Sequence, residues 1–247
     1  MKEQLSKVVV ILGFIGAHVL PADVFYRVFG KKVGINDPAA ILFSSGSEGT
    51  PKGIVLSHRN FMANIKQISD VLKTREDDVV MGSLPPFHSF GLTVTTFLPL
   101  IEGIPVVCHP DPTDVVNIAK AISRNRVTVM CATATFLRLY SKNKKVQPLM
   151  LESLRVVVAG AEKLAPEVRE EFQQRFNKII YEGYGATETT PVASVNIPDQ
   201  LDTNDWHVQL GNKLGTVGLP LPGCSFRVVD PVSLQTLSVG EDGLILI

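Results

Sequence analysis

Between residues 38 and 181 the chain alternates two hydrophobic periods, and that alternation limits the folds open to it. Short apolar, β-branched runs at 39–43, 53–56, 105–108, 127–132, 154–159 and 178–181 have the length and composition of strands. Helical spacing fills the intervals. Phe61, Ile65, Ile68 and Leu72 recur every three or four residues behind Ser57, a good capping residue. Val115, Ile118 and Ile122 follow Asp114 in the same way. Val168, Phe172 and Phe176 follow Pro166, which suits a first helical turn. Residues 92–100 and 133–140 read as shorter helices. The run at 39–43 ends in Ser44-Ser45-Gly46 and reads as a buried strand. Strands alternating with helices predict an α/β fold: layered, mostly parallel sheets covered by helices. After about residue 200 turn residues become frequent, and 225–229 and 244–247 read as short antiparallel strands.

Composition narrows the function. Twenty-four basic residues balance twenty-four acidic ones, so no global charge draws the chain to nucleic acid. A hydrophobic share of 45% excludes a disordered chain. Charged residues reach only 19%, below the usual quarter, which fits a surface that partly packs on neighbours. Three cysteines without a C-x-x-C pair build neither a disulfide framework nor a zinc knuckle, and read as small apolar fillers in a reducing compartment. The apolar run at 8–20 is too short for a membrane span, which needs about 20 residues. It lacks a clean A-x-A cleavage site and reads as a buried or interface helix.

One loop carries specific chemistry. Ser44, Ser45, Gly46, Ser47, Glu48, Gly49, Thr50 and Lys52 join two predicted strands. Glycines let backbone N–H groups turn inward around an anion, hydroxyls add donors, and Lys52 adds a point charge. That is the chemistry a polyphosphate needs. The order is not a Walker A loop, because Lys52 follows Pro51 and precedes Gly53.

Residues 44–53, SSGSEGTPKG, resemble the phosphate signature of the adenylate-forming superfamily. Later segments agree in order: LPPFHSFG at 84–91, VAGAEKL at 158–164, EGYGATETT at 182–190, GTVGLPLPG at 215–223 and GEDG at 240–243. Within the superfamily the wording is most similar to acyl-[acyl-carrier-protein] synthetases fused to a 2-acylglycerophosphoethanolamine acyltransferase. The resemblance implies ATP and Mg2+ as cofactors and a fatty acid as substrate. It implies an acyl carrier protein, or CoA, as thiol acceptor, and lysophospholipid reacylation as the purpose. It also implies a parent enzyme at the cytoplasmic side of the inner membrane. On this pattern Thr187 meets the α-phosphate and Glu188 holds the metal. Gly160, Ala161 and Glu162, with Glu182, Gly183, Tyr184 and Gly185, enclose adenine. His88 matches a residue near the carboxylate path and is expected to position or gate rather than to move protons. No aspartate stands at Phe87-His88 to hold a substrate ammonium, so an unsubstituted carboxylic acid is the expected substrate. Cys131, Ala132, Thr133, Thr135 and Phe136 either line an acyl tunnel or belong to the ordinary core. Lys142, Lys144 and Lys145 form either a solvated face or a dock for an acidic carrier protein.

The expected organisation has four parts: an apolar helical lead-in at 1–37, the phosphate-loop part at 38–75, a second α/β subdomain at 76–205, and a β-rich segment at 206–247 that begins a small antiparallel barrel. The family's ribose-binding aspartate, hinge and catalytic lysine belong to stretches expected after Ile247, and the C-terminal lid domain is absent. The chain therefore reads as an incomplete N-terminal domain. It is expected to show little or no adenylation activity alone and to bind ATP weakly if at all.

Overall fold

The computed structural model describes residues 7–30, 32–44, 50–202 and 204–247. Residues 45–49, the middle of the predicted phosphate loop, lie outside the described residues. The chain divides into two units, one up to Asp37 and one from Pro38 to Ile247. The first unit pairs helix α1, Lys7–Val19, with helix α2, Ala22–Phe29. Gly16 admits the close approach: a Cβ there would stand 3.0 Å from the Phe29 ring. Among the described residues no helix is long and apolar enough to cross a membrane.

The second unit opens with an antiparallel hairpin, β1 (Pro38–Ser44) and β2 (Lys52–Ser57), in register from Ala40↔Leu56 to Ser44↔Lys52. The run at 39–43 is not the buried strand its composition suggests. Leu42 and Leu56 face inward and are buried, while Ile41, Phe43 and Val55 face outward and are exposed. Pairing in a two-stranded ribbon leaves one face open, so period 2 separates the apolar residues into covered and uncovered sets. Helix α3, His58–Leu72, follows at once. Ser57 Oγ accepts from the Asn60 amide, and Asn60 Oδ1 accepts in return from the Ser57 amide, a closed capping box.

The main sheet takes β3 (Val80–Gly82), β4 (Val106–Cys108), β5 (Val129–Ala132), β6 (Val156–Ala159), β7 (Ile180–Gly185), β8 (Val192–Val195) and β11 (Leu219–Pro220). Its order is β11-β8-β7-β6-β5-β3-β4. The five strands from β4 to β7 run parallel; β8 and β11 add antiparallel to the β7 edge. The pairing of β11 with β8 was not legible beforehand, because residues 219–220 offer only two residues and a proline. Two short antiparallel pairs complete the C-terminal part: β9 (Gln200–Leu201) with β10 (Val208–Gln209), and β12 (Arg227–Val229) with β13 (Leu244–Leu246).

Alternation along the parallel strands builds two cores. Met130, Ala132, Val157, Ala159 and Ile180 face one side. There they meet α6 (Val115–Asn125), α7 (Ala134–Lys142) and α8 (Pro166–Phe176) through Ile118, Ile122, Leu137, Tyr140 and Phe172. Cys131, Val156, Val158 and Tyr181 face the other side. There they meet α3 through Phe61, Ile65 and Ile68, and the segment after β3 through Phe90, Val94 and Leu98. That segment is helical throughout: α4 (Ser89–Leu92), a π-helical turn (Thr93–Phe97) and α5 (Leu98–Glu102). Both faces of the sheet are covered, as parallel strands require.

Candidate functional site

The sheet places a site at its C-terminal edge. In the order β4-β3-β5-β6-β7 the chain leaves β3 in one direction for β4, then returns to the other side for β5. Loops diverge at such a reversal and leave a crevice beyond the strand ends, where open α/β sheets bind ligands. A cavity of about 200 Å³ lies there. One half of its wall is apolar: Ile68 and Leu72 from α3, Phe90 and Val94 after β3, Cys131 from β5 and Val158 from β6. The rest of the wall includes Gly160-Ala161 after β6, the run Gly183-Tyr184-Gly185-Ala186-Thr187 after β7, and Pro191, Val192 and Val195 at β8. His88 and Ser89 stand at the junction.

Steric detail shows why glycine is needed at two of these positions. A Cβ on Gly160 would meet the Phe90 ring at 3.2 Å. A Cβ on Gly185 would fall 1.7 Å from the Pro191 carbonyl oxygen, where the β7–β8 register slips between Tyr184 and Gly185. Ala161 then takes a left-handed backbone, φ +67°, which costs an alanine energy and is held by its surroundings. Glu162 supplies the hold: its Oε2 accepts from the Thr135 amide at 3.0 Å and from Thr135 Oγ1 at 2.8 Å. The carboxylate thus sits at the N-terminus of α7, where a negative charge is favourable.

Tyr184 keeps one side of its ring open to the cavity and meets Phe226 edge-on, with centroids 6.3 Å apart. Glu182 turns away: its Oε2 pairs with Arg169 Nη1 at 3.4 Å, and its backbone carbonyl accepts from the Asn196 amide at 2.8 Å. Thr187 and the exposed Glu188 lie on a 3₁₀ turn, Thr187–Thr189, and β2 packs beside that turn. Ser44 and the exposed Lys52 face each other at the loop end of the hairpin. Thr50 is exposed, while Ser45, Gly46, Ser47, Glu48 and Gly49 lie outside the described residues.

His88 caps α4. Its Nδ1 accepts from the Phe90 amide at 3.4 Å, so the neutral ring carries its proton on Nε2. Of the five residues read as tunnel or core, Cys131 alone lines the cavity. Burial pushes its thiol up to about 12, so it is a neutral wall atom and not a nucleophile. Ala132 joins the opposite core, Thr133 Oγ1 caps α7, and Thr135 holds Glu162. Reading the cysteines as apolar fillers fits Cys131 and half-buried Cys224, which packs against the core, whereas Cys108 is exposed at the end of β4. Lys142 is paired with Glu171 at 2.6 Å, which leaves exposed Lys144 and Lys145 as the solvated part of that basic loop.

The structure therefore brings His88, Gly160, Ala161, Gly183, Tyr184, Gly185 and Thr187 to one cavity. Glu162, Glu182, Lys52 and Glu188 do not line it, although β2 packs beside the turn that carries Glu188. Sequence reading missed Ile68, Leu72 and Val94 as wall residues. Their signal was apolar period alone, identical to that of any core helix face.

Comparison with known proteins agrees with this geometry. The profile of the family described as AMP-binding enzyme matches residues 12–247. Probable 4-coumarate–CoA ligase 2 of Dictyostelium discoideum is 34% identical over 215 residues, covering 85% of this chain and 37% of the relative. A long-chain-fatty-acid–CoA ligase of Salmonella typhimurium is 29% identical over 202 residues, covering 81% of this chain and 34% of the relative. ATP-bound MatB from Rhodopseudomonas palustris superposes with a TM-score of 0.72 at 27% identity, over 87% of this chain and 40% of that one. The chain thus spans little more than a third of the ligases it matches. From sheet order, cavity and profile together, it belongs to the AMP-binding enzyme family.

Proposed function

We propose that this chain is the nucleotide- and acyl-binding core of an ATP-dependent ligase that joins a fatty acid to a thiol through an acyl adenylate. One observation carries the reading: a single cavity of about 200 Å³ has a glycine- and tyrosine-lined half beside an apolar half. A flat aromatic nucleotide base suits the first and an alkyl chain suits the second. His88 and Thr187 both line this cavity and supply polar side chains for a carboxylate and a phosphate.

The first step joins two anions and expels a third, so its central problem is charge. In this reading Ser44, Thr50 and Lys52, with the rest of the loop, bind the phosphates that leave as pyrophosphate. Thr187 binds the phosphate that is attacked, and His88 Nε2–H orients the carboxylate. Adenine lies between Gly160-Ala161 and Gly183-Tyr184. Glu162 and Glu182 support these two loops from behind rather than touching the base.

The donor set fits a magnesium ion. Among the described residues no three His, Cys, Asp or Glu side chains converge. A metal at Glu188 would take one carboxylate and draw its remaining oxygens from phosphate and water, which is how Mg2+ is ordinarily held. When bound, it neutralises phosphate charge.

The relatives named as CoA ligases favour CoA as acceptor, whereas the wording of residues 45–53, 86–93, 158–164 and 182–196 favours an acyl carrier protein. Phospholipid reacylation and placement at the inner membrane rest on that wording alone. Calorimetric titration with ATP and Mg2+ tests the nucleotide half. Saturable heat is expected for the chain, weakened about tenfold in Tyr184→Ala and made insensitive to magnesium in Glu188→Ala. Identical heats in all three proteins would refute the site.

A further inference from the structure

The two walls of the cavity are fastened to each other by side-chain amides that line neither. Helix α3 supplies Ile68 and Leu72 to the apolar wall, and β8 supplies Val192 and Val195 beside the glycine-rich run. Asn64 stands one turn before Ile68, on the same side of α3, and is only 3% exposed. Its Nδ2 donates to the Val192 carbonyl at 2.7 Å, and its Oδ1 accepts from the Val192 amide at 3.3 Å. One side chain thus pairs with both backbone groups of a strand residue, as a neighbouring strand would. Val192 opens β8 opposite Gly185, where the β7–β8 register slips. Gln67 extends the attachment. Its Oε1 accepts from Asn64 Nδ2 at 3.3 Å, and its Nε2 donates to the Pro222 carbonyl. Pro222 follows β11, which pairs with β8, and the Leu221 amide donates to the Ala193 carbonyl at 2.9 Å. Helix α3 therefore reaches β8 by two routes, one direct and one by way of β11.

We infer that Asn64, held by Gln67, is a positioning residue that sets the separation between the apolar wall and the nucleotide wall. This rests on the proposed reading of the cavity and adds to it the residue that lets one ligand fit both walls at once. Burial of Ile65 and Ile68 against the sheet is non-directional, so it presses α3 down without choosing where the helix sits. The amide clamp is directional, and it fixes α3 along and across the start of β8. A ligand confined to one wall does not sense that placement. An acyl adenylate does, because its two ends are covalently joined.

Calorimetric titration of the chain with dodecanoyl-sulfamoyl adenosine, with AMP, and with dodecanoate below its micelle concentration tests this. The quantity read is a linkage ratio: affinity for the joined ligand divided by the product of the two fragment affinities. In Asn64→Ala, and in the near-isosteric Asn64→Asp that keeps the acceptor and loses the donor, the ratio is expected to fall about tenfold. Each fragment alone should bind within about twofold of its affinity for the unaltered chain. Gln67→Ala should lower the ratio about threefold, and it decides the matter if neither Asn64 variant folds. Ser57→Ala, at the start of the same helix, lowers stability without touching the clamp and should leave the ratio unchanged. A ratio unchanged in the folded clamp variants, or lowered equally by Ser57→Ala, overturns the positioning role and leaves the two halves of the cavity standing. Failure of both fragments to bind the unaltered chain overturns the reading of the cavity, and the positioning role with it.

Discussion

Small residues do the shaping at this site, and their tolerances are narrow. Gly185→Ala would drive a Cβ into the Pro191 carbonyl and open the β7–β8 pairing. A loss of about 3 kcal/mol in unfolding free energy, read by urea denaturation, is the expected outcome. Glu162 acts at one remove. Its two hydrogen bonds to Thr135 keep Ala161 in a left-handed backbone. Glu162→Ala is expected to speed amide exchange at residues 160–162 and to weaken nucleotide binding, with melting temperature little changed. Sequence order singled out both residues, because their neighbours carry the family wording. It could not say that Glu162 and Glu182 point away from the cavity. Side-chain direction there depends on Thr135 and Arg169, which are distant in the chain and carry no motif.

Among elements, α3 has the clearest dependence on local sequence. Its capping box fixes the start of the helix whose far end supplies Ile68 and Leu72 to the cavity. Ser57→Ala is expected to lower stability by about 1 kcal/mol in the same denaturation measurement. The start of the parallel strands depends instead on a buried charge. Burial alone would raise the Asp78 carboxyl, but hydrogen bonds from Arg155, Thr128 and the Arg75 amide, with the Arg155 charge, outweigh it and hold the pKa below its usual value. A depressed carboxyl stabilises the fold above its unfolded pKa, near 4, and that contribution disappears as pH falls through the folded value. Stability should therefore drop on acidification below about pH 4. Asp78→Asn should flatten that limb and, by leaving Arg155 unpaired, remove about 3 kcal/mol at neutral pH. Element positions were largely legible, because period 2 and period 3.6 alternate cleanly from residue 57 to 181. The hairpin β1–β2 was less so. Its apolar runs match those of a central strand, and only the antiparallel partner decides that Ile41, Phe43 and Val55 remain uncovered. Strand β7 ran past its expected end at Tyr181 for a related reason: Gly183 and Gly185 suggest a turn, yet β8 keeps them in the ladder.

At the scale of the whole molecule, topology joins the two halves of the site. The reversal between β3 and β5 opens the crevice, the loops after β6 and β7 furnish its glycine-rich side, and α3 with the segment after β3 furnishes its apolar side. The order of motifs along the chain foretold which loops would meet. Only the sheet order brings the glycine-rich and apolar walls into one cavity. The central claim is that the two halves are adjacent and act together. A ligand spanning both should then bind far more tightly than either part, since the second contact becomes intramolecular. The direct measurement is calorimetric titration with a non-hydrolysable dodecanoyl-sulfamoyl adenosine, compared with AMP and dodecanoate separately. One site per chain is expected, with affinity at least a hundredfold above that of either fragment and losses of about tenfold in both Tyr184→Ala and Val94→Phe. Affinity no better than that of AMP alone, or unchanged in both variants, would contradict it.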